Sequence, residues 1–226
     1  MISTASGTNI SSEATTRGTR ALLACGVVAG PLFIIVAFIQ VLIRSGFDPR
    51  RHPLSLLSLG DLGWIQITNF VVGGLLFTAS AVGIRRTMRS GPGRRWGPWL
   101  IGVFGVSLVA GGIFLADPAF GFPPGTAEGA PEQLSWHGIL HAVAPLVGFL
   151  ALIVACLVFA RRFAFFGQRG WWAVYSVATG PVVLALSVWP NFSGNFIPLW
   201  IAMVLGFGWA SAVAARLMAD SAESRG

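Results

Sequence analysis

The chain alternates long apolar runs with short polar stretches rich in Gly and Pro. Six runs, at about residues 21–43, 62–84, 98–116, 136–160, 171–189 and 196–217, each supply the roughly 20 apolar residues that one helical membrane crossing needs. The breaks between them, such as Ser90-Gly91-Pro92-Gly93 and Phe122-Pro123-Pro124-Gly125, carry residues that end helices. Backbone in lipid has no water to bond, so such runs take the form that satisfies its own N–H and C=O groups, the α-helix. The pattern predicts an all-α integral membrane protein: a six-transmembrane-helix bundle over 21–217, a disordered N-terminal segment, 1–20, and a short tail, 218–226. Pro31, Pro145 and Pro181 fall inside runs and are expected to kink the first, fourth and fifth helices.

Composition agrees, since only 10% of the 226 residues are charged, against about a quarter in a soluble domain. Charge adds a direction. All 15 basic residues are Arg, and twelve of them fall on one side of the six crossings, with only Arg44, Arg50 and Arg51 on the other. By the positive-inside rule both termini are expected in the cytoplasm of a bacterial plasma membrane. The same clustering at helix ends accounts for the net charge of +7 and gives no reason to invoke nucleic acid. Trp64, Trp136, Trp189 and Trp200 then mark the outer interface, and Trp96, Trp99, Trp171 and Trp172 the inner one. Cys25 and Cys156 read as small apolar residues near a reducing compartment.

Candidate chemistry gathers on the outer side, which holds every histidine. In Trp136-His137-Gly138-Ile139-Leu140-His141 two of them stand four apart at a helix start. They project from one face about 6 Å apart along the axis, a spacing that suits a shared metal ion. His141 falls about one turn inside the membrane, where a polar side chain is a functional candidate. Between Pro53 and Gly60 a short interfacial helix is expected to carry His52 and Ser55 over the bundle mouth. Asp117 ends the third run, where a carboxylate opposes the helix dipole and calls for a partner: an arginine, a histidine or a metal-bound water. Asp61 reads as the N-cap of the second helix. Gln66 and Asn69 suit hydrogen bonds across helices. Trp64, Gln66, Trp136, Glu128 and Glu132 are the expected walls of a substrate cavity, with the loop 118–135 as a lid.

The combination of His52-Pro53-Leu54-Ser55, Gly63-Trp64-Ile65-Gln66-Ile67-Thr68-Asn69-Phe70, Asp117 and His137-Gly138-x-x-His141 resembles the bacterial multi-pass "domain of unknown function" family 998. That resemblance implies architecture and no mechanism. In residue types alone, His52, Ser55, Asp117, His137 and His141 are similar to the zinc site of the alkaline ceramidase and adipoQ-receptor membrane hydrolases. Those proteins differ in having seven helices, with the His-x-x-x-His pair on the last.

The leading expectation is a membrane-embedded enzyme open to the outer side. His52, His137 and His141 would hold zinc and leave one position for water, Asp117 would act as base, and Ser55 or Asn69 would bond a lipid or other amphipathic substrate. One alternative is a metal-free isomerase or cyclase of a prenyl substrate, using Asp117, Glu128 or Glu132 and aromatic walls. Another is a structural, accessory or pH-sensing protein whose outer histidines titrate. Transport is disfavoured, since no Asp, Glu, Lys or Arg falls near the middle of a run.

Overall fold

The computed structural model describes residues 5–167 and 170–223. Arg169 and Arg225, two of the twelve arginines, and the end of the tail lie outside the described residues. The fold is all-helical: α1 (Ala5–Ile43), α2 (Gly63–Thr87), α3 (Trp96–Ile113), α4 (Trp136–Phe165), α5 (Trp171–Val188), the single turn α6 (Pro190–Ser193) and α7 (Ile197–Glu223). They make six spans long and apolar enough to cross a membrane, α5 and α6 together forming the fifth. The protein is therefore a multi-pass membrane protein, and six crossings leave both termini at one end. That end carries the arginine clusters; the other carries the histidines.

Two boundaries differ from the sequence pattern. Residues 5–20, expected to be disordered, continue α1, because a helix nucleated in the apolar run extends into Ala, Ser and Thr at little further cost. Asp61 does not cap α2: Leu62 holds the cap position with no side-chain bond. The first N–H groups of α2 instead meet nearby carbonyls, Gly63 N–H to Gly60 O and Ile65 N–H to Leu62 O, at 2.9 and 3.1 Å.

Consecutive helices pack side by side and α7 closes the ring against α5 and α1. Burial in lipid offers little hydrophobic gain between helices, so close contact comes from small residues. At the α2–α3 seam a Cβ on Gly74 would sit 2.5 Å from the Gly105 carbonyl oxygen, so the two backbones touch. Phe33, Phe77, Phe104 and Phe207 meet at the ring centre with centroids 4.7 to 5.8 Å apart. Beside Pro31, the Ser211 hydroxyl of α7 donates to Gly26 O at 2.7 Å and accepts the Gly30 N–H at 3.1 Å, reconnecting α1 across the helix interface. Most of the tryptophans placed at the interfaces are exposed on the bundle surface, but Trp200 is buried. Its indole N–H is consumed inside, by the carbonyl of His52 at 3.2 Å.

Candidate functional site at the histidine-bearing end

Three connections cover this end: the loop 44–62 with its one-turn 3₁₀ helix Leu54–Ser58, the loop 114–135, and α6 with its flanks. The histidines hold these pieces together. His52 is buried among Phe47, Phe122 and Trp200. Its Nδ1 accepts the Asp48 N–H at 2.9 Å and its Nε2 faces the Phe120 carbonyl at 2.9 Å. An amide only donates and a carbonyl only accepts, so the proton sits on Nε2 and both ring nitrogens are spent. His52 thereby pins the first loop to the second. The exposed Arg51–Glu128 ion pair joins the same two loops and adds at most about 1 kcal/mol.

His137 and His141 do related work on helix α3. The chain leaves α3 in extended form at Phe114, so the carbonyls just past the helix have no helical partner, and the two rings reach back to them. His141 Nδ1 donates to Phe114 O at 2.6 Å, and His137 Nδ1 donates to Leu115 O at 3.1 Å. Asp117 completes the clasp: its Oδ1 accepts the Ser135 hydroxyl at 2.6 Å and its Oδ2 the Ser135 N–H at 2.8 Å. The Ser135 oxygen in turn accepts the Gly138 N–H at 3.0 Å, which makes it the N-cap of α4, and lies 3.0 Å from His137 Nδ1. The Ser135 hydroxyl first, then its N–H and the nearby His137 and His141, hold Asp117 below the usual carboxylate range against the opposing effect of burial. The partner that Asp117 calls for is thus a serine, which sequence reasoning did not single out.

In this clasp the serine gives its proton to the aspartate, whereas a nucleophilic serine gives it to the histidine. Asp, Ser and His are together here as a double helix cap. For zinc, three protein ligands are needed. His137 and His141 each keep Nε2 outside the carbonyl bonds, but His52 has no lone pair left. Among the described residues no three His, Cys, Asp or Glu side chains come close enough together to hold a metal ion. The three histidines therefore do not fit the zinc site expected of them.

A cavity of about 350 Å³ lies beneath the loops, in the half of the bundle nearest the histidines. Phe33, Phe104 and Phe207 of the central cluster form one wall, and Leu108, Gly111, Met203 and Trp200 continue it. Few polar groups line it, namely Ser55, Ser107, His141, Ser187 and Asn191. Of the expected site residues, only Ser55 and His141 line this cavity. Asp117, His52 and His137 belong to the cap above it. Gln66 and Asn69 are buried between α2 and α1, where Gln66 Oε1 accepts Gln40 Nε2 at 2.7 Å and Asn69 Nδ2 donates to Phe33 O at 3.0 Å. Trp64 and Trp136 are exposed on the bundle surface, and Glu128 and Glu132 are exposed in the second loop. None of these four lines the cavity. Arg44, at the end of α1, donates to the carbonyls of Leu57 (3.2 Å) and Leu59 and so fastens the 3₁₀ helix over the cavity.

A family model described as "Protein of unknown function (DUF998)" matches residues 27–216. The chain belongs to that family. The matched region of this DUF998 protein takes in the cavity, the three histidines, Asp117 and Ser135. No curated protein matches the chain, and no solved structure does.

Proposed function

We propose that this DUF998 protein binds an amphipathic molecule with a hydrocarbon chain, a lipid or similar compound, in the cavity under its histidine-pinned cap. The observation that carries this reading is the cavity itself, lined by aromatic and aliphatic side chains with a few polar groups and within the size range of ligand sites. His141 and Ser55 are the groups that would orient the polar part. Binding is favoured over hydrolysis because the Ser135 hydroxyl is spent on Asp117, and both ring nitrogens of His52 and Nδ1 of His137 are spent on loop and capping contacts. The arginine distribution supports an orientation with the termini in the cytoplasm and the cavity toward the outside of a bacterial plasma membrane. Alkylation of a Ser193→Cys variant in intact cells by an impermeant reagent is expected, and protection until the cells are opened would reverse the orientation.

Gly111 gives the test of binding. It lines the cavity, and a Cβ there would meet only Phe70 carbons at 3.9 Å, so a larger side chain grows into the empty space. Native mass spectrometry of the protein released from lipid nanodiscs should show a retained amphiphile in the wild type. In Gly111→Leu retention should fall about tenfold, the effect of roughly 1.4 kcal/mol. Equal retention by both proteins would defeat the proposal.

A further inference from the structure

The cavity is closed above and open to one side. Above it, Arg44 holds the 3₁₀ helix and His52 holds the two loops together. To the side stand α4 and α5. Along α4 the stripe Leu146, Leu150 and Ile153 recurs at helical spacing, and along α5 the stripe Gly180, Leu184 and Val188 does the same. At the lower end the stripes meet: a Cβ on Gly180 would sit 3.3 Å from Cys156 Cβ and 3.4 Å from the Ile153 carbonyl oxygen. Higher up both border the cavity. Leu146, Leu150, Leu184 and Val188 all line the cavity, yet they are 60%, 49%, 45% and 43% exposed. Residues that both line a cavity and face outward mark its mouth.

The sequence places a weakened turn at each edge of this mouth. Pro145 lies nine residues into α4 from Trp136, and Pro181 lies seven residues before the end of α5 at Val188. Pro181 follows Gly180, which meets Ile153 and Cys156, so it stands opposite a level of α4 roughly 12 Å below Pro145. Each proline lacks the N–H that would bond the carbonyl four residues back, those of His141 and Val177, so α4 is weakened at the upper edge of the mouth and α5 at its lower edge. Leu146 and Leu150 lie between the two levels.

We infer that the gap between α4 and α5 is a lateral portal through which the hydrocarbon chain of a membrane lipid enters the cavity directly from the bilayer. The medium that bathes Leu146, Leu150, Leu184 and Val188 in a membrane-spanning bundle is lipid, so the molecule meeting the mouth is one already dissolved there. Its chain passes toward Leu108, Met203 and Phe104, and its head stays near Ser55 and Asn191 at the cavity's outer end. The inference rests on the cavity binding an amphiphile and adds the ligand's class and route.

Photo-crosslinking separates the two. The protein is placed in nanodiscs containing a phospholipid with a diazirine at the end of one chain, illuminated, digested with chymotrypsin and mapped by mass spectrometry. Label is expected on cavity-wall peptides holding Met203 and Phe104 as well as on lipid-facing surface. A Leu150→Trp/Leu184→Trp variant should lower the interior label about fivefold, near 1 kcal/mol of occupancy, with surface label unchanged. A Leu150→Ala/Leu184→Ala variant, which only removes volume, should raise the interior label. Interior label insensitive to both variants overturns the portal and leaves cavity binding standing. No interior label in the wild type, or interior label that Gly111→Leu does not reduce, overturns the binding reading itself.

Discussion

Replacing Ser135 by alanine removes one oxygen from three interactions at once. The oxygen caps α4 by accepting the Gly138 N–H, gives its proton to Asp117, and shares the His137 Nδ1 proton. Loss of an N-cap costs about 1 kcal/mol, and a hydrogen bond to a charged group about 1.5 to 3 kcal/mol. Asp117 keeps the Ser135 N–H at 2.8 Å, and its side chain is 13% exposed, so water replaces part of what is lost. The expected total is about 2 to 3 kcal/mol, measured as the shift in reversible unfolding by dodecyl sulfate in mixed micelles. Acid adds an independent reading. The clasp depresses the native pKa of Asp117 below its unfolded value of about 3.9, so the stabilisation is full above that pH and is lost as pH falls through the native pKa. The wild type should therefore lose more stability than Ser135→Ala between about pH 5 and pH 3. Gly138→Ala attacks the clasp from the other side, since its Cβ would lie 2.7 Å from Asp117 Cγ and drive the carboxylate out. In the Ser135→Ala background that second change should cost less than it does alone. A Ser135→Ala variant within about 0.5 kcal/mol of wild type, with the same acid profile, would refute the capping account.

Two further outcomes follow from the cap and the buried amides. His52→Phe keeps a ring among Phe47, Phe122 and Trp200 but strands the Asp48 N–H and the Phe120 carbonyl, so a loss of about 1 to 3 kcal/mol is expected. Hydrogen exchange should quicken in 44–62 and 114–135 and not in the helices, and uniform quickening would count against a loop pin. Gln66→Leu leaves Gln40 and Asn69 short of an acceptor and should cost about 1 to 3 kcal/mol, whereas Gln40→Leu/Gln66→Leu, which also removes the unpartnered Gln40 Oε1 and Gln66 Nε2, should cost less than the sum of the single changes.

The helices were legible because lipid permits little else: a run of about 20 apolar residues has to satisfy its backbone internally, and the Gly- and Pro-rich breaks mark where it stops. Their ends shifted by up to six residues, apart from the extension of α1 back to Ala5, because helix ends are set by local bonds such as Gly63 N–H to Gly60 O. The gathering of polar residues at one end was legible too, as was the short helix after Pro53. Their roles were not. A His-x-x-x-His spacing places two rings on one face but leaves open what each ring faces, and here they face the carbonyls of Phe114 and Leu115 just past α3. Nor does any local pattern separate Phe33, Leu108 or Met203 on a cavity wall from the same residue types in a packed core, since a cavity is a property of several helices at once. The one usable signal was the pair of mid-helix prolines, whose places at the two edges of the mouth appear only when α4 and α5 are packed together.

The cap and the mouth make different demands, and the residue types divide accordingly. Loops over a bundle end have backbone groups with no helix to satisfy them, and near lipid each one left unpaired is costly. Histidine and arginine side chains that reach carbonyls on neighbouring elements meet that need while tying the loops to one another, as His52, His137, His141 and Arg44 do. A seam that must open has the opposite requirement. Cross-helix hydrogen bonds there would be lost at each opening, and the α4 and α5 faces that flank the portal are leucine and valine, whose contacts with one another and with lipid chains are nearly equivalent. Opening between two such faces changes little in free energy, whereas lifting the cap would break several hydrogen bonds together. A ligand drawn from the bilayer would then pass between α4 and α5 with the histidine cap intact. Variants of His52 or Ser135 should consequently act on stability before they act on ligand exchange, and variants of Leu150 or Leu184 the reverse.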